Sequence, residues 1–292
     1  MLMRNRFFRN RLILCGIVFL VIVVALVLPL TAEHSQIMPA EEFHFITREG
    51  RVNGVPGNSV YGVRASLDAG YESIRVSVRE TKDHVWVLSH DASINQEARN
   101  ADGSQLSEEI LIAETNYREL NQYDYGIAYD PIYAGLGLTR LDDFLTAAAA
   151  ENMEVLLEMK TVLDSEQAAS IAEMVTRFGY ENTIWLSAYE VPTLLLFQEL
   201  LPNANVALIM HFGTDSLYTI LNSGLISETH RTRLDSFFND TYDPKLIQEF
   251  YRNGIDIKVG SAYSEEQMQQ FLDLNIYYIE AANIIDPERL LV

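Results

Sequence analysis

Six ionisable side chains fall at or near the ends of four short apolar runs. Arg48 follows Phe43–Thr47, Arg75 lies within Ser73–Val78 beside Ser77, His90-Asp91 follows Val85–Ser89, and Glu158-Met159-Lys160 closes Glu154–Glu158. Three permanent cations at one place make a local anion site, and guanidinium groups bind phosphate or carboxylate through paired N–H donors. A histidine followed by a carboxylate can move a proton near neutral pH. Arg75 and Glu158 have opposite charges and, brought together, would also pair with each other. The sequence holds no Gly-x-Ser-x-Gly, no glycine-rich phosphate loop and no zinc-ligand spacing.

The segments that must position these groups alternate between β and α patterns from about Phe43 onward. Strands are predicted at Phe43–Thr47, Ser73–Val78, Val85–Ser89, Glu154–Glu158, Thr183–Ser187, Val206–Met210, Ile255–Val259 and Tyr277–Glu280, with a weak ninth at Leu234–Phe238. Helices are predicted at Ser59–Ala69, Arg140–Ala150, Ser165–Phe178, Val191–Leu200, Pro244–Asn253 and Ser264–Leu274. Ser165 and Ser264 are suited to N-caps, and Pro192 and Pro244 to first turns. This alternation predicts a parallel sheet, either a (β/α)8 barrel or a doubly wound sheet. In both, a site forms at the C-terminal ends of the strands. Residues 92–137 lack periodicity and form a tyrosine-rich insertion whose aromatics predict order.

The 292 residues carry 41 acids and 21 bases, a net charge of −20, which excludes a nucleic-acid binder. Residues 1–11 hold four arginines and no acid, and 12–30 is an apolar run long enough to span a bilayer. The charge asymmetry predicts a cytoplasmic basic N-terminus (1–11), a transmembrane signal anchor (12–30), a linker (31–42) and an extracytoplasmic domain (43–292). The alternative is a secreted protein cleaved near Ala32. The single cysteine, Cys15, lies in the apolar run and excludes a disulfide scaffold.

In order and spacing, Thr47-Arg48-Glu49-Gly50, Pro56-Gly57-Asn58-Ser59, Arg75-Val76-Ser77, Thr81-Lys82-Asp83-His84, His90-Asp91 and Glu158-Met159-Lys160 resemble the motifs of the glycerophosphodiester phosphodiesterases. The resemblance runs over about 43–290 and implies a (β/α)8 TIM barrel. It implies phosphodiester hydrolysis by two histidines, with a divalent metal such as Ca or Mg held by a Glu-x-Asp pair and a later Glu. Here Thr47 is equated with the first histidine, Arg75 and Ser77 with the Glu-x-Asp pair, and Glu158 with the later Glu; Arg48 and Lys160 match basic residues near the phosphate. One carboxylate beside a guanidinium cannot hold a hard dication, so no metal cofactor is expected and Glu158 is a vestigial metal position. Glu80, Asp83 and Asp91 are not expected to rebuild the metal site.

Two functions follow. The first is a pseudoenzyme that binds a phosphate-bearing or other anionic small molecule through Arg48, Arg75 and Lys160. The second is a metal-free phosphodiester hydrolase or lyase acting on glycerophosphodiesters or lipid head groups, with Arg75 as electrostatic clamp and His90 as catalytic acid or base.

Overall fold

The computed structural model describes residues 43–52, 54–284, 286–287 and 290. The segments predicted as a basic N-terminus (1–11), a transmembrane anchor (12–30) and a linker (31–42), with Cys15 and Ala32, lie outside them. No helix among the described residues is long and apolar enough to cross a membrane.

Eight parallel strands close a barrel: β1 (His44–Arg48), β2 (Ser73–Glu80), β4 (Glu154–Met159), β5 (Trp185–Ala188), β6 (Asn205–Ile209), β7 (Thr232–Phe237), β8 (Ile255–Ala262) and β9 (Tyr278–Ala281). Closure comes from β1 pairing with both β2 and β9. Between the strands run α1 (Val60–Asp68), α2 (Leu141–Ala150), α3 (Ser165–Arg177), α4 (Val191–Leu200), α5 (Thr214–Ser223), α6 (Pro244–Arg252) and α7 (Glu265–Asp273). The choice left open by the alternating pattern falls to the TIM barrel.

Strand alternation separates two environments. Ile74, Val76 and Val78 of β2 join the apolar core under the helices, whereas Arg75 and Ser77 point inward and meet Glu158 on the adjacent strand β4. The same alternation puts Leu234 in that core and pairs Arg233 with Asp235. Those two polar positions made the predicted ninth strand weak, yet it is β7, a full barrel member.

The predicted third strand, at Val85–Ser89, needs correction. Only Trp86–Leu88 is a strand (β3), and it pairs antiparallel with β2 outside the barrel. A five-residue connection through Thr81-Lys82-Asp83-His84-Val85 is too short for the crossover a parallel neighbour requires. Helix α5 was not foreseen, since only Leu217 and Ile220 mark its apolar side. Helix α3 is capped by Asp164 rather than Ser165: Asp164 accepts from the Glu166 and Gln167 amides while Gln167 reaches back in a capping box.

The β1–α1 connection is held by backbone contact. Gly50 sits at φ +70°, and a side chain there would meet the Gly62 backbone at 2.6 Å. The insertion builds a second small core, in which its Ile94, Ala98, Ile112, Leu120 and Tyr125 pack with Val87 of β3 and with Leu138 just beyond it. Its tyrosines are tied in: Tyr125 donates to the Leu120 carbonyl and Tyr117 to that of Leu138.

Candidate active site at the barrel mouth

The Arg75 guanidinium lies between two carboxylates, Glu158 on the adjacent strand β4 and Glu280 on β9, two strands away on the other side. Its Nε donates to Glu280 Oε2 at 2.8 Å and its Nη2 to Glu280 Oε1 at 3.1 Å, a bidentate pair. Nη1 donates to Glu158 Oε2 and, at 3.1 Å, to Ser77 Oγ. Each carboxylate also pairs with a lysine: Lys160 Nζ is 2.6 Å from Glu158 Oε1, and Lys258 Nζ is 2.9 Å from Glu280 Oε2, the oxygen shared with Arg75 Nε. Lys258 also approaches Asp235 at 3.5 Å, and Asp235 accepts from Arg233 Nε at 2.7 Å. The Arg233 guanidinium lies 3.9 Å from the centre of the Trp185 ring, deeper in the barrel. Gly260 makes room for Glu280, since a side chain at 260 would fall 2.5 Å from its Cβ.

Burial would raise the Glu158 carboxyl, but Arg75 and Lys160 overcome it and hold the group down at about 2. Against the same burial, Arg75 and Lys258 hold Glu280 well below the ordinary carboxylate range. Burial pulls Arg75 down, and Glu280, Glu158 and Glu49 more than restore it. Arg75, Glu158 and Glu280 are therefore ionised together at neutral pH. Burial lowers Lys160, with Glu158 only partly offsetting the effect.

Above this network is a cavity of about 190 Å³. Arg48, Arg75, His90, Glu158 and Lys160 all line it, so the structure brings the sequence-predicted site together. Tyr189, Asp235, Lys258 and Glu280 line it as well and were missed. Their signal was weak because the contacts that bring them to the mouth, Tyr189 to Glu158, Lys258 to Asp235 and Glu280, and Glu280 to Arg75, join residues distant in sequence. Tyr189 donates to Glu158 Oε1 at 3.0 Å, and Arg48 Nη1 donates to the Tyr263 hydroxyl. His90 Nδ1 lies 2.8 Å from Asp91 Oδ1.

The placement of the first motif is corrected. Thr47 is fully buried and turned toward α1, its hydroxyl 2.8 Å from Ser66 Oγ, so it faces away from the mouth. The β1 side chain that reaches the cavity is Arg48. By side-chain direction, the motif's histidine position falls on Arg48 and its arginine position on Glu49, which approaches Arg75 at 3.9 Å. Elsewhere, His84 is exposed and bonded to Glu80, and His211 is bonded to Asp240.

The divalent metal implied by the resemblance does not fit these residues. The position between Glu158 and Glu280 is filled by a guanidinium that cannot lose its proton. Glu80 is engaged by His84 and Gln167, and Asp83 accepts from the Tyr117 amide. Among the described residues, no group of three or more His, Cys, Asp or Glu could hold a metal ion.

Beside the mouth, Arg51 bridges Glu49 at 2.7 Å and Glu97 of the insertion at 2.9 Å. Burial and repulsion from Glu49 push the Glu97 carboxyl up to about 7, despite Arg51. A carboxyl raised in the folded state stabilises fully below its unfolded value and loses that contribution as pH rises through the folded value. Stability should therefore fall between about pH 4.5 and 7, by on the order of 3 kcal/mol for a shift of this size. Urea unfolding across this range should show Glu97→Gln flatter than the wild type and more stable at pH 8; superimposable profiles would refute the assignment.

A family model described as the glycerophosphoryl diester phosphodiesterase family matches residues 50–277. The chain is 19% identical over 253 residues to a glycerophosphodiester phosphodiesterase of Caldanaerobacter subterraneus, covering 84% of this chain and 95% of that protein. It is 26% identical over 165 residues to the uncharacterized protein YqiK of Bacillus subtilis, covering 56% of this chain and 63% of that protein, just under two thirds of its length. Among solved structures, an Oleispira antarctica phosphodiesterase in complex with the product sn-glycerol-3-phosphate superposes with a TM-score of 0.74 at 14% identity, over 86% of this chain and 97% of that one.

Proposed function

We propose, from the premise that this chain belongs to the glycerophosphoryl diester phosphodiesterase family, that its mouth binds a phosphate-bearing anion without a metal and does not hydrolyse it by the family route. The supporting observation is the charge of the cavity wall. Four cations (Arg48, Arg75, Lys160 and Lys258) face three carboxylates (Glu158, Asp235 and Glu280). An excess of one positive charge, inside a chain of −20, matches a phosphodiester monoanion. The relative's complex with sn-glycerol-3-phosphate supports the ligand class.

In this reading Arg75 is a fixed counter-charge with little hydrogen-bonding capacity left. Phosphate oxygens accept instead from Lys160, Lys258 and Arg48, whose flexible stems can turn from their present partners. The absence of a carboxylate cage removes Lewis-acid stabilisation worth several kcal/mol, and Arg48 cannot serve as a base. Calorimetric titration with sn-glycerol-3-phosphate in EDTA should show binding that Lys258→Met weakens tenfold or more, the scale of one charged hydrogen bond. No binding, or an unaffected variant, would refute the reading.

A second reading has one observation in its favour. The His90–Asp91 contact at 2.8 Å leaves the other ring nitrogen of a cavity-lining histidine for proton transfer. It predicts metal-free turnover lost in His90→Ala.

The domain is further proposed to work outside the cytoplasm, tethered through 12–30. Protease added to intact cells should then digest it, and protection until lysis would exclude that topology.

A further inference from the structure

Ten large apolar side chains are exposed among the described residues, and five of them lie in or beside β-to-α connections, on the mouth face. Tyr61 is in the first turn of α1, Ile132 in the insertion, Val162 between β4 and α3, Tyr189 between β5 and α4, and Tyr263 between β8 and α7. Ile132 is 81% exposed, Val162 63% and Tyr263 56%, the largest of them in places where no packing requires an apolar residue. Tyr189 and Tyr263 adjoin the cavity itself through their hydroxyls, on Glu158 and Arg48. The Tyr61 ring stands 5.3 Å from that of Tyr133, which joins the insertion to this side of the mouth. The other five, Leu195, Leu200, Tyr218, Leu221 and Ile226, lie on α4, on α5 and just beyond it, and nothing there points to an occupant.

We propose that this rim docks on a zwitterionic phospholipid surface, so that the anion entering the cavity is a lipid head group. The proposal rests on the anion-binding reading above. Exposed apolar side chains around a polar cavity mark an interaction face, and tyrosines with an apolar body and a polar tip suit the bilayer interface. Charge selects the occupant. A second copy would bring −20 against −20, and an anionic bilayer would meet the same repulsion. A zwitterionic head group presents a phosphate with no net surface charge. If 12–30 is the anchor, the 12 residues of 31–42 reach about 40 Å at most, which keeps the barrel within reach of the bilayer.

The test uses the full chain, with Cys15→Ser, reconstituted in phosphatidylcholine vesicles that contain a shallow spin-labelled lipid. An environment-sensitive fluorophore is attached through Ile132→Cys, Val162→Cys or, at the opposite end of the barrel, Asn203→Cys. Quenching at 132 and 162 but not at 203 is the expected result. Adding Val162→Ser to the label at 132 should then lower the docked-to-free ratio about tenfold, the scale of one buried aliphatic side chain. No quenching at 132 and 162, or equal quenching at 203, would overturn the proposal. A titration of the same protein in detergent with sn-glycerol-3-phosphate reports on the anion site separately, so failure of docking and failure of anion binding are told apart.

Discussion

Arg75→Met should destabilise the domain by about 3 kcal/mol or more at pH 7, because it strands two buried carboxylates that the guanidinium now joins. Glu158 and Glu280 keep one lysine each but face each other across the vacated space. Their protonation would then be favoured, so the deficit relative to wild type should shrink as pH falls from neutrality toward the ordinary carboxylate range. Wild type should behave in the opposite sense. Glu158 is held at about 2 by Arg75 and Lys160 against burial, so its stabilisation is present above about pH 4.5 and lost only as pH falls toward 2. Adding Glu158→Gln to Arg75→Met should recover part of the loss, with a coupling of at least about 1 kcal/mol in the double-mutant cycle. Urea unfolding reads both quantities. A loss under about 1 kcal/mol, or additive effects, would show that the Arg75 ion pairs do not hold the mouth together.

The double variant Arg75→Glu, Ser77→Asp should turn the mouth into a divalent-cation site. It would place two new carboxylates beside Glu158 and Glu280, since Arg75 and Ser77 already contact Glu158 Oε2 and Arg75 contacts both Glu280 oxygens. Four acidic groups satisfy much of the oxygen coordination a hard dication demands. Without cation the variant should be strongly destabilised by like-charge repulsion. With Ca²⁺ at about 100 times its Kd, some 2.7 kcal/mol should return. Thermal unfolding in EDTA and in Ca²⁺ measures this directly. Wild type should be indifferent to the cation; a Ca²⁺ response in wild type, or none in the variant, would mean that Arg75 is not what separates this mouth from a metal site.

Much of the barrel was legible because its outer face obeys simple periodicity. Ile74, Val76 and Val78, or Val155 and Leu157, alternate with inward residues, and the helices between strands carry caps and first-turn prolines. The errors have definite causes. β7 reads Thr-Arg-Leu-Asp-Ser-Phe, and its inward Arg233 and Asp235 hide it from a search for apolar runs. β3 is apolar enough to pass for a barrel strand, and only the length of the turn before it shows that it must run antiparallel. Motif order located Arg48, Arg75, His90, Glu158 and Lys160 in one mouth, but could not find Glu280, Lys258 or Asp235. Those residues matter through pairs spanning 22 to 205 positions, and the sequence does not record which side chains meet. Equating Thr47 with the motif's histidine was off by one residue, and strand alternation corrects it by turning Thr47 and Arg48 to opposite sides.

The mouth is proposed to hold a phosphate-bearing anion without metal and without the family's chemistry. The most direct measurement is turnover of a panel of glycerophosphodiesters by the purified protein in Ca²⁺, Mg²⁺ or EDTA, beside His90→Ala. No turnover is expected in any condition, together with saturable binding in EDTA. Turnover that survives EDTA and disappears in His90→Ala would contradict it by establishing metal-free catalysis. Metal-dependent turnover would contradict it too, by showing that Arg75 yields its place to a cation.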